Sequence, residues 1–270
     1  MTDQPTVVLT QGAQVLADCR AEGRAALIAY LPVGFPTVVG SLEAIEAVVA
    51  AGVDIVEVGV PYSDPLLDGP VIQRATETAL SAGCVVDDVF PAVATAVRAG
   101  AAAYVMTYWN LVLRRGVDRF AADLAAAGGS GVITPDLIPD EGADWLAAAA
   151  RHGLDPVFLV APSSTPERLA VATSACRGFV YAASTMGVTG TRATVGSAAA
   201  EVVARTRDVT DLPVCVGLGV STRAQAAEVA RYADGVIVGS ALVRALDEGG
   251  ISAVRALAAD LAAGVREGRA

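Results

Sequence analysis

Three carboxylates lie in or just after one short apolar run, and their spacing suits acid and base chemistry. Glu57 lies inside the run Ile55–Gly59, where a charged residue is unusual, and Asp64 and Asp68 follow in a loop rich in proline and glycine. If Glu57 points into an enclosed pocket, loss of water raises its pKa toward neutrality and makes it a usable general acid and base. A second carboxylate across the pocket would then take a different role. The alternatives are a buried Glu57 hydrogen-bonded by a tyrosine or a backbone amide, and aspartates that only make turn hydrogen bonds.

Three glycine-rich turns occur late in the chain, each after an apolar run. They are Gly187-Val188-Thr189-Gly190, Gly217-Leu218-Gly219 and Gly239-Ser240. Glycine lets backbone N–H groups approach an anion closely, and a helix that begins at Ser240 would direct its N-terminus toward that anion. We therefore predict a phosphate site at these turns. The alternative is that the turns serve packing only.

Lysine is absent from the sequence, so all 19 basic residues are arginine, and His152 is the only histidine. Without lysine the chain cannot form a Schiff base, anchor pyridoxal phosphate or supply the lysine of a Walker motif. A single histidine also excludes a multi-histidine metal site. We expect no cofactor and no metal on this chain, and any carbon–carbon cleavage must use an electron sink that the substrate supplies.

These residues are distributed over an alternation of Val- and Ile-rich runs with Ala-rich amphipathic stretches, which is typical of repeated βα units. Eight strands are predicted, near Ala25–Leu31, Ile55–Gly59, Tyr104–Tyr108, Gly131–Thr134, Val157–Val160, Phe179–Ala183, Val214–Gly217 and Gly235–Val238. The predicted helices are Ser41–Ala51, Pro70–Ala82, Asp87–Ala99, Val117–Ala127, Glu141–Arg151, Pro166–Ala175, Ala198–Arg207, Arg223–Arg231 and Ser252–Gly264, with an extra helix at Gln14–Glu22 before the first strand.

Eight such units close more naturally into a (β/α)₈ TIM barrel than into an open doubly wound sheet. An open sheet would carry a Gly-rich fingerprint after its first strand, and Leu31-Pro32-Val33-Gly34 is not one. We predict an α/β fold, a single barrel domain over residues 1–270 with an extra N-terminal helix.

Composition excludes several classes of partner. The formal net charge of −10 argues against nucleic acid or an anionic membrane as the main partner, since both need a basic face. The segment Met1–Gly12 has neither a basic flank nor an apolar core of the kind that export signals carry. The four cysteines form no CxxC pair and predict reduced core thiols, so we expect a cytoplasmic protein.

One segment carries a specific family resemblance: Glu57-Val58-Gly59-Val60-Pro61-Tyr62-Ser63-Asp64-Pro65-Leu66-Leu67-Asp68-Gly69-Pro70 resembles the signature of the tryptophan synthase α subunits. The similarity continues through Met106-Thr107-Tyr108-Trp109-Asn110, Pro135-Asp136-Leu137-Ile138-Pro139, Gly187-Val188-Thr189-Gly190 and Val238-Gly239-Ser240. It spans the chain from about Arg24 to Leu246. The resemblance implies a lyase that splits indole-3-glycerol phosphate into indole and glyceraldehyde 3-phosphate in tryptophan biosynthesis.

The resemblance also implies roles for individual positions. Glu57 matches the acid/base residue, Asp68 the carboxylate that accepts a hydrogen bond from the indole N–H, and Tyr181 a tyrosine beside the glutamate. Matches to the phosphate cradle are Gly190, Gly219, Gly239 and Ser240; matches to the indole pocket are Tyr30, Met106, Tyr108 and Leu218, with Thr189 in a mobile loop that closes over the site. Many family members carry arginine where this chain has Thr185, so the resemblance does not extend to the details of how that loop closes.

A partner is implied as well. Pro61, Asp64 and Asn110 match positions on the barrel face that docks the β subunit, which carries pyridoxal phosphate, in an allosteric α₂β₂ heterotetramer. The alternatives are a stand-alone indole-3-glycerol-phosphate lyase and a non-catalytic subunit that binds a phosphate ligand and regulates a partner. The barrel synthase that makes indole-3-glycerol phosphate is disfavoured because it relies on a catalytic lysine.

Overall fold

The computed structural model describes residues 9–183, 197–217 and 219–268, and its centre is a parallel sheet of nine strands. The strands are β1 Ala26–Pro32, β2 Ile55–Gly59, β3 Ala102–Met106, β4 Gly131–Ile133, β5 Asp155–Val157, β6 Leu159–Val160, β7 Val180–Ala183, β8 Val214–Gly217 and β9 Gly235–Val238. Their order is β5-β4-β3-β2-β1-β9-β8-β7-β6. Only Phe158 separates β5 from β6, so the two edges of the sheet belong to one extended stretch and the sheet closes into a barrel. The predicted TIM-barrel fold is confirmed.

Helices surround the sheet. They are α1 Gln11–Ala21, α2 Val38–Ala50, α3 Pro70–Ser81, α4 Val89–Ala99, α5 Trp109–Arg115, α6 Val117–Ala126, α7 Ala143–His152, α8 Pro166–Ala175, α9 Ser197–Arg207, α10 Arg223–Ala230 and α11 Ser240–Glu267, with 3-10 turns at Val86–Asp88 and Pro139–Glu141. No single helix of the described chain is long and apolar enough to cross a membrane; α3 and the stretch Val86–Ala99 meet that criterion only as a pair bent by 109°.

Side chains alternate along each strand and divide the core into two layers. Ile55 on β2 faces the barrel interior with Tyr104, Phe179 and Ile237, whereas Val56 and Val58 face the surrounding helices. Since successive side chains on a strand point to opposite faces, Glu57 shares the inner face with Ile55. The alternation therefore places this carboxylate inside the barrel.

Threonine caps fix where several helices begin. The side chains of Thr10, Thr37, Thr165 and Thr222 each accept a hydrogen bond from a backbone N–H in the first turn of the following helix. At the other end, Gly100 and Gly153 close α4 and α7 in the left-handed conformation that glycine adopts without strain.

The structure departs from the predicted elements in several places. Helix α2 begins at Val38 and not at Ser41, and β3 spans Ala102–Met106 and not Tyr104–Tyr108. Helix α5 was not predicted, and the predicted strand Val157–Val160 is interrupted at Phe158. Helix α1 begins at Gln11 because Thr10 caps it, three residues before the predicted start. The last helix was predicted only over residues 252–264, but it runs from Ser240 to Glu267. It is broken at Gly250, whose φ of 64° is not helical.

Candidate active site

Glu57 lies in the middle of β2, at the heart of the candidate site. It is fully buried, and its Cα pairs in register with Tyr30 on β1 and Tyr104 on β3. Neither carboxyl oxygen has a hydrogen-bond partner among the described residues. Burial raises the pKa of Glu57 from 4.5 to about 8, because the charged form loses its water without gaining a partner. The side chain is therefore protonated at neutral pH.

Two tyrosines lie near Glu57 inside the barrel. Tyr30 lies on β1 and Tyr181 on β7, and burial followed by the nearby charges of Glu57 and Asp68 raises the pKa of each phenol well above 10. Both phenols occupy space that glycines leave open. A methyl group on Gly59 would collide with the Tyr30 hydroxyl, and one on Gly217 with the Tyr181 hydroxyl.

The sequence-based reasoning gave no role to Gly59, and it placed Gly217 only in a glycine-rich turn of the predicted phosphate site. A usable signal was present, because Gly59 follows Glu57 by two residues and therefore shares its inward face. Glycine on the inner face of a strand marks a close approach by another group. In this barrel that group is a phenol.

The loop after β2 brings Asp68 to the same region. The Tyr108 hydroxyl accepts a hydrogen bond from the Leu67 backbone N–H at 3.0 Å and donates one to the Asp68 carboxylate. The Gln73 side chain holds the other side of the loop by donating to the Asp68 carbonyl at 2.8 Å. Burial raises the pKa of Asp68 from 3.8 to about 6, and the Tyr108 hydrogen bond opposes that rise. At neutral pH Asp68 is therefore mainly ionised.

The two carboxylates thus differ in protonation state because their environments differ. Glu57 has a proton to give and lies in an apolar interior, whereas Asp68 is a hydrogen-bonded anion nearer the surface. Such a pair can donate a proton at one point of a substrate and stabilise positive charge at another.

The residues predicted to line the indole pocket fall partly within this space. Tyr30 is half-buried on β1, Met106 is half-buried at the end of β3, and Tyr108 is buried at the start of α5. The positions Thr189 and Leu218 lie outside the described residues.

The predicted phosphate cradle is described in part. Gly239 and Ser240 join β9 to α11, and the ring of Tyr30 lies 3.3 Å from where a Gly239 Cβ would be. Gly219 follows the neighbouring strand β8, so the two turns share one edge of the barrel. Gly190 lies outside the described residues. Helix α11 begins at Ser240, and the N-terminus of a helix suits an anion.

The predicted docking residues occupy different depths. Asp64 and Asn110 are exposed, and Pro61 is buried. The Asn110 amide donates to the Tyr62 hydroxyl at 2.9 Å, and the ring of Tyr62 lies 4.8 Å from that of Tyr108, centroid to centroid. The exposed loop and the active-site tyrosine are thereby physically connected, a link through Tyr62 that sequence-based reasoning missed.

Other reactive groups are structural in the described part of the chain. All four cysteines are buried and free. No group of three or more His, Cys, Asp or Glu side chains within the described ranges could hold a metal ion. His152 accompanies Arg151 in the last turn of α7 and lies 3.0 Å from Asp118, where a basic group is favourable at a helix C-terminus.

Comparison with known proteins places this geometry in context. The family model for the tryptophan synthase alpha chain matches residues 16–267. The tryptophan synthase alpha chain of Mycolicibacterium paratuberculosis is 64% identical over 253 residues, which are 94% of this chain and 93% of the relative, and that of Mycobacterium marinum is 66% identical over 92% of each. The solved Mycobacterium tuberculosis tryptophan synthase superposes with a TM-score of 0.92 at 62% identity over 96% of this chain and 99% of that one. An alpha subunit from Legionella pneumophila has a TM-score of 0.88 at 29% identity, over 96% of this chain and 99% of that one.

Proposed function

The chain belongs to the family of tryptophan synthase alpha chains, and from this premise we propose that it cleaves indole-3-glycerol phosphate into indole and glyceraldehyde 3-phosphate with Glu57 and Asp68 in the named roles. One observation carries the assignment of roles. A buried carboxyl with a pKa of about 8 and a hydrogen-bonded carboxylate with a pKa of about 6 face the same barrel mouth. At neutral pH the first is an acid and the second an anion.

The reaction begins with protonation of the indole ring. Glu57 gives its proton to C3, and the positive charge that develops at the ring nitrogen is stabilised by Asp68, which accepts the hydrogen bond of the N–H. The ring thereby becomes the electron sink, in a chain that has no lysine to form an imine.

The bond then breaks. The Glu57 carboxylate takes the proton of the side-chain hydroxyl on the carbon next to C3, that carbon becomes the aldehyde of glyceraldehyde 3-phosphate, and the electrons of the carbon–carbon bond return to the ring. Indole leaves, and Glu57 is protonated as it began. The buried site suits this sequence because a carboxyl whose pKa lies near neutrality can both give a proton and take one back.

The remaining site residues receive supporting roles in this proposal. Tyr181 borders Glu57, while Tyr30, Met106 and Tyr108, with Leu218 and Thr189, contact the ring of the substrate. Gly219, Gly239 and Ser240, with Gly190, bind the phosphate through backbone N–H groups. The chemistry needs no cofactor on this chain, because the substrate's own ring accepts the electrons.

We propose a tryptophan synthase beta subunit as the partner, which binds pyridoxal phosphate and completes an α₂β₂ assembly. The exposed loop after β2 supports this, since Leu66 is 81% exposed between Asp64 and the half-exposed Leu67. Asp64 and Asn110 would contact the partner directly. Pro61 is buried and would contribute indirectly, by fixing the conformation of the loop that carries Asp64.

Two further proposals concern the chain as a whole. We propose that it forms one domain, because α11, the last helix, packs on elements from the first third of the chain, namely α2, α3 and β1. We also propose a cytoplasmic location, which the four free, buried cysteines support.

The test is product formation by the purified chain. Indole and glyceraldehyde 3-phosphate should appear in equal amounts from indole-3-glycerol phosphate, slowly from the chain alone and faster with a beta subunit of the family. The same compound without its phosphate serves as the control and should react poorly. Full activity without a partner would identify a stand-alone lyase, and no product under either condition would refute the function and leave a regulatory binding subunit.

A further inference from the structure

Below Glu57, a polar cluster closes the N-terminal end of the barrel. Its members are Thr10, Tyr104 and Asp155, which we call the floor cluster. The Asp155 carboxylate accepts hydrogen bonds from the Thr10 hydroxyl at 2.5 Å and from the Tyr104 hydroxyl at 2.8 Å. Asp155 and Tyr104 are buried, and the two positions are 51 residues apart in sequence. A buried carboxylate held by two hydroxyls is a specific arrangement, since either bond lost leaves a polar group unsatisfied.

The cluster joins helix α1 to the barrel floor. Thr10 is also the N-cap of α1, where its hydroxyl oxygen accepts the Ala13 N–H at 3.1 Å. The next turn is tied down by the Gly12 N–H, which donates to the Ser130 hydroxyl at 2.9 Å. Leu16 and Cys19 of the same helix pack into the inner core. Helix α1 is therefore the plug that separates the barrel interior from solvent at this end.

The surroundings leave no spare room around the Tyr104 hydroxyl. A methyl group on Gly12 would collide with it, and one on Gly178 would lie 2.7 Å from it. Gly178 also has a φ of 71°, which side-chain-bearing residues rarely adopt. The Tyr104 ring packs edge-on against Phe179, with centroids 5.1 Å apart and planes at 82°. The phenol is thus held both by its ring and by its hydroxyl.

Tyr104 connects this floor to the active site. Its Cα is paired in register with that of Glu57 on the adjacent strand, and both side chains face the barrel interior. Because its hydroxyl bonds to Asp155 at the start of β5, its side chain extends from the level of Glu57 toward the end of the barrel closed by α1. None of the catalytic steps proposed above uses Tyr104.

We propose that Tyr104, clamped by Asp155 and Thr10, is a positioning residue for Glu57 that seals the barrel beneath the acid/base carboxyl against water. This inference rests on the proposed function, in which Glu57 moves the protons. The seal is what burial of Glu57 depends on, and burial is the cause of its raised pKa. The other titratable groups near Glu57 are Tyr30 from β1, Tyr181 from β7 and Cys215 from β8, and Asp68 from the loop after β2 lies near the two tyrosines. Opening the floor adds water beside Glu57 and leaves these other groups in place.

Three substitutions of Tyr104 disrupt the floor cluster to increasing degrees. Tyr104→Phe keeps the ring and removes the hydroxyl, Tyr104→Leu keeps apolar volume without the clamp, and Tyr104→Ala opens the floor. Tyr232→Phe is the matched control, because it also removes a buried tyrosine hydroxyl. That hydroxyl has no partner among the described residues, and Tyr232 packs against the outer core, away from the barrel interior.

The readout is the pH at which Glu57 loses its proton, measured in two ways. One is the alkaline limb of kcat/KM for indole release, and the other is the infrared carbonyl band of the protonated carboxyl, identified by its loss in Glu57→Gln. We expect Tyr104→Ala to move both to lower pH by about one pH unit or more, a tenfold or greater change in proton affinity. The shift in pH should be smaller for Tyr104→Leu and smallest for Tyr104→Phe. Tyr232→Phe should show no shift.

An unchanged limb and band in the Leu and Phe variants would overturn the proposal, even if Tyr104→Ala fails to fold, because loss of folding alone does not change the proton affinity of Glu57. The infrared titration needs no turnover. A wild-type chain that releases no indole therefore refutes the proposed function and still leaves the link between Tyr104 and Glu57 open to measurement.

Discussion

Glu57→Gln should stabilise the folded chain, and by an amount that grows with pH. The wild-type carboxyl is fully buried without a hydrogen-bond partner in the described structure, and its pKa of about 8 exceeds its ordinary value of 4.5. Below about pH 4.5 the carboxyl is protonated in both folded and unfolded chains, so folding carries no ionisation penalty. As the pH rises from there to about 8, only the unfolded chain ionises freely, and the folded state loses stability.

The size of the effect follows from the two pKa values. Each tenfold change in proton affinity corresponds to about 1.4 kcal/mol, so the change from 4.5 to about 8 gives an upper limit of about 5 kcal/mol. Water that penetrates the barrel interior lowers this penalty, and we expect a difference in the free energy of unfolding on the order of 2–4 kcal/mol above pH 8. The glutamine amide fills nearly the same volume and does not titrate, so it escapes this penalty.

The assay is urea unfolding at pH 5, 6, 7, 8 and 9. The difference in free energy of unfolding between Glu57→Gln and wild type should rise steadily with pH and level off above pH 8, with similar m values. The control is Glu46→Gln on α2, which changes an exposed side chain and should show no such rise. A difference that stays flat with pH would refute the claim that burial holds Glu57 protonated.

Three further predictions concern the residues around Glu57. Gly217→Ala places a methyl group where the Tyr181 hydroxyl lies, so we expect kcat for indole release to fall about tenfold or more because the phenol must move; unchanged steady-state kcat would show that Tyr181 does not need this position. Gly239→Asp puts a negative charge at the start of α11 and should raise KM for indole-3-glycerol phosphate more than it lowers kcat; an unchanged KM would place the phosphate elsewhere. Thr10→Val removes both the cap of α1 and a hydrogen bond to Asp155, and should lower the free energy of unfolding by about 1–2 kcal/mol in urea titrations; no loss would mean that α1 is held by its apolar contacts alone.

Much of the barrel was predictable because local patterns specify it. The strand Ile55–Gly59 is bounded correctly by its apolar run, and the same period of two places Glu57 on the inner face. Helix α5 was missed since its seven residues, Trp109–Arg115, are too few to show a helical period. The interruption at Phe158 was missed as well. Phe158 is apolar like its neighbours, so the sequence gives no sign that the strand pairing stops there.

The site was predictable only in part. An acid/base role for Glu57 follows from a carboxylate in an apolar strand, and a phosphate site follows from the three glycine turns, but the specific role of Asp68 came from family resemblance. Pairing of Tyr104 with Asp155 depends on strand register and on side-chain direction, which no local pattern encodes. The different protonation states of the two carboxylates likewise depend on burial in the folded chain.

The central claim is that one buried carboxyl moves both protons in the cleavage of indole-3-glycerol phosphate. Single-turnover cleavage by Glu57→Gln, with the chain in excess over the substrate and well above its dissociation constant, tests it most directly. We expect the rate of carbon–carbon cleavage to fall by about 10³-fold or more relative to wild type, since the amide can neither donate nor accept the proton, while the substrate dissociation constant changes little. Cleavage within about tenfold of the wild-type rate would contradict the assignment of Glu57 and require another group to move the protons.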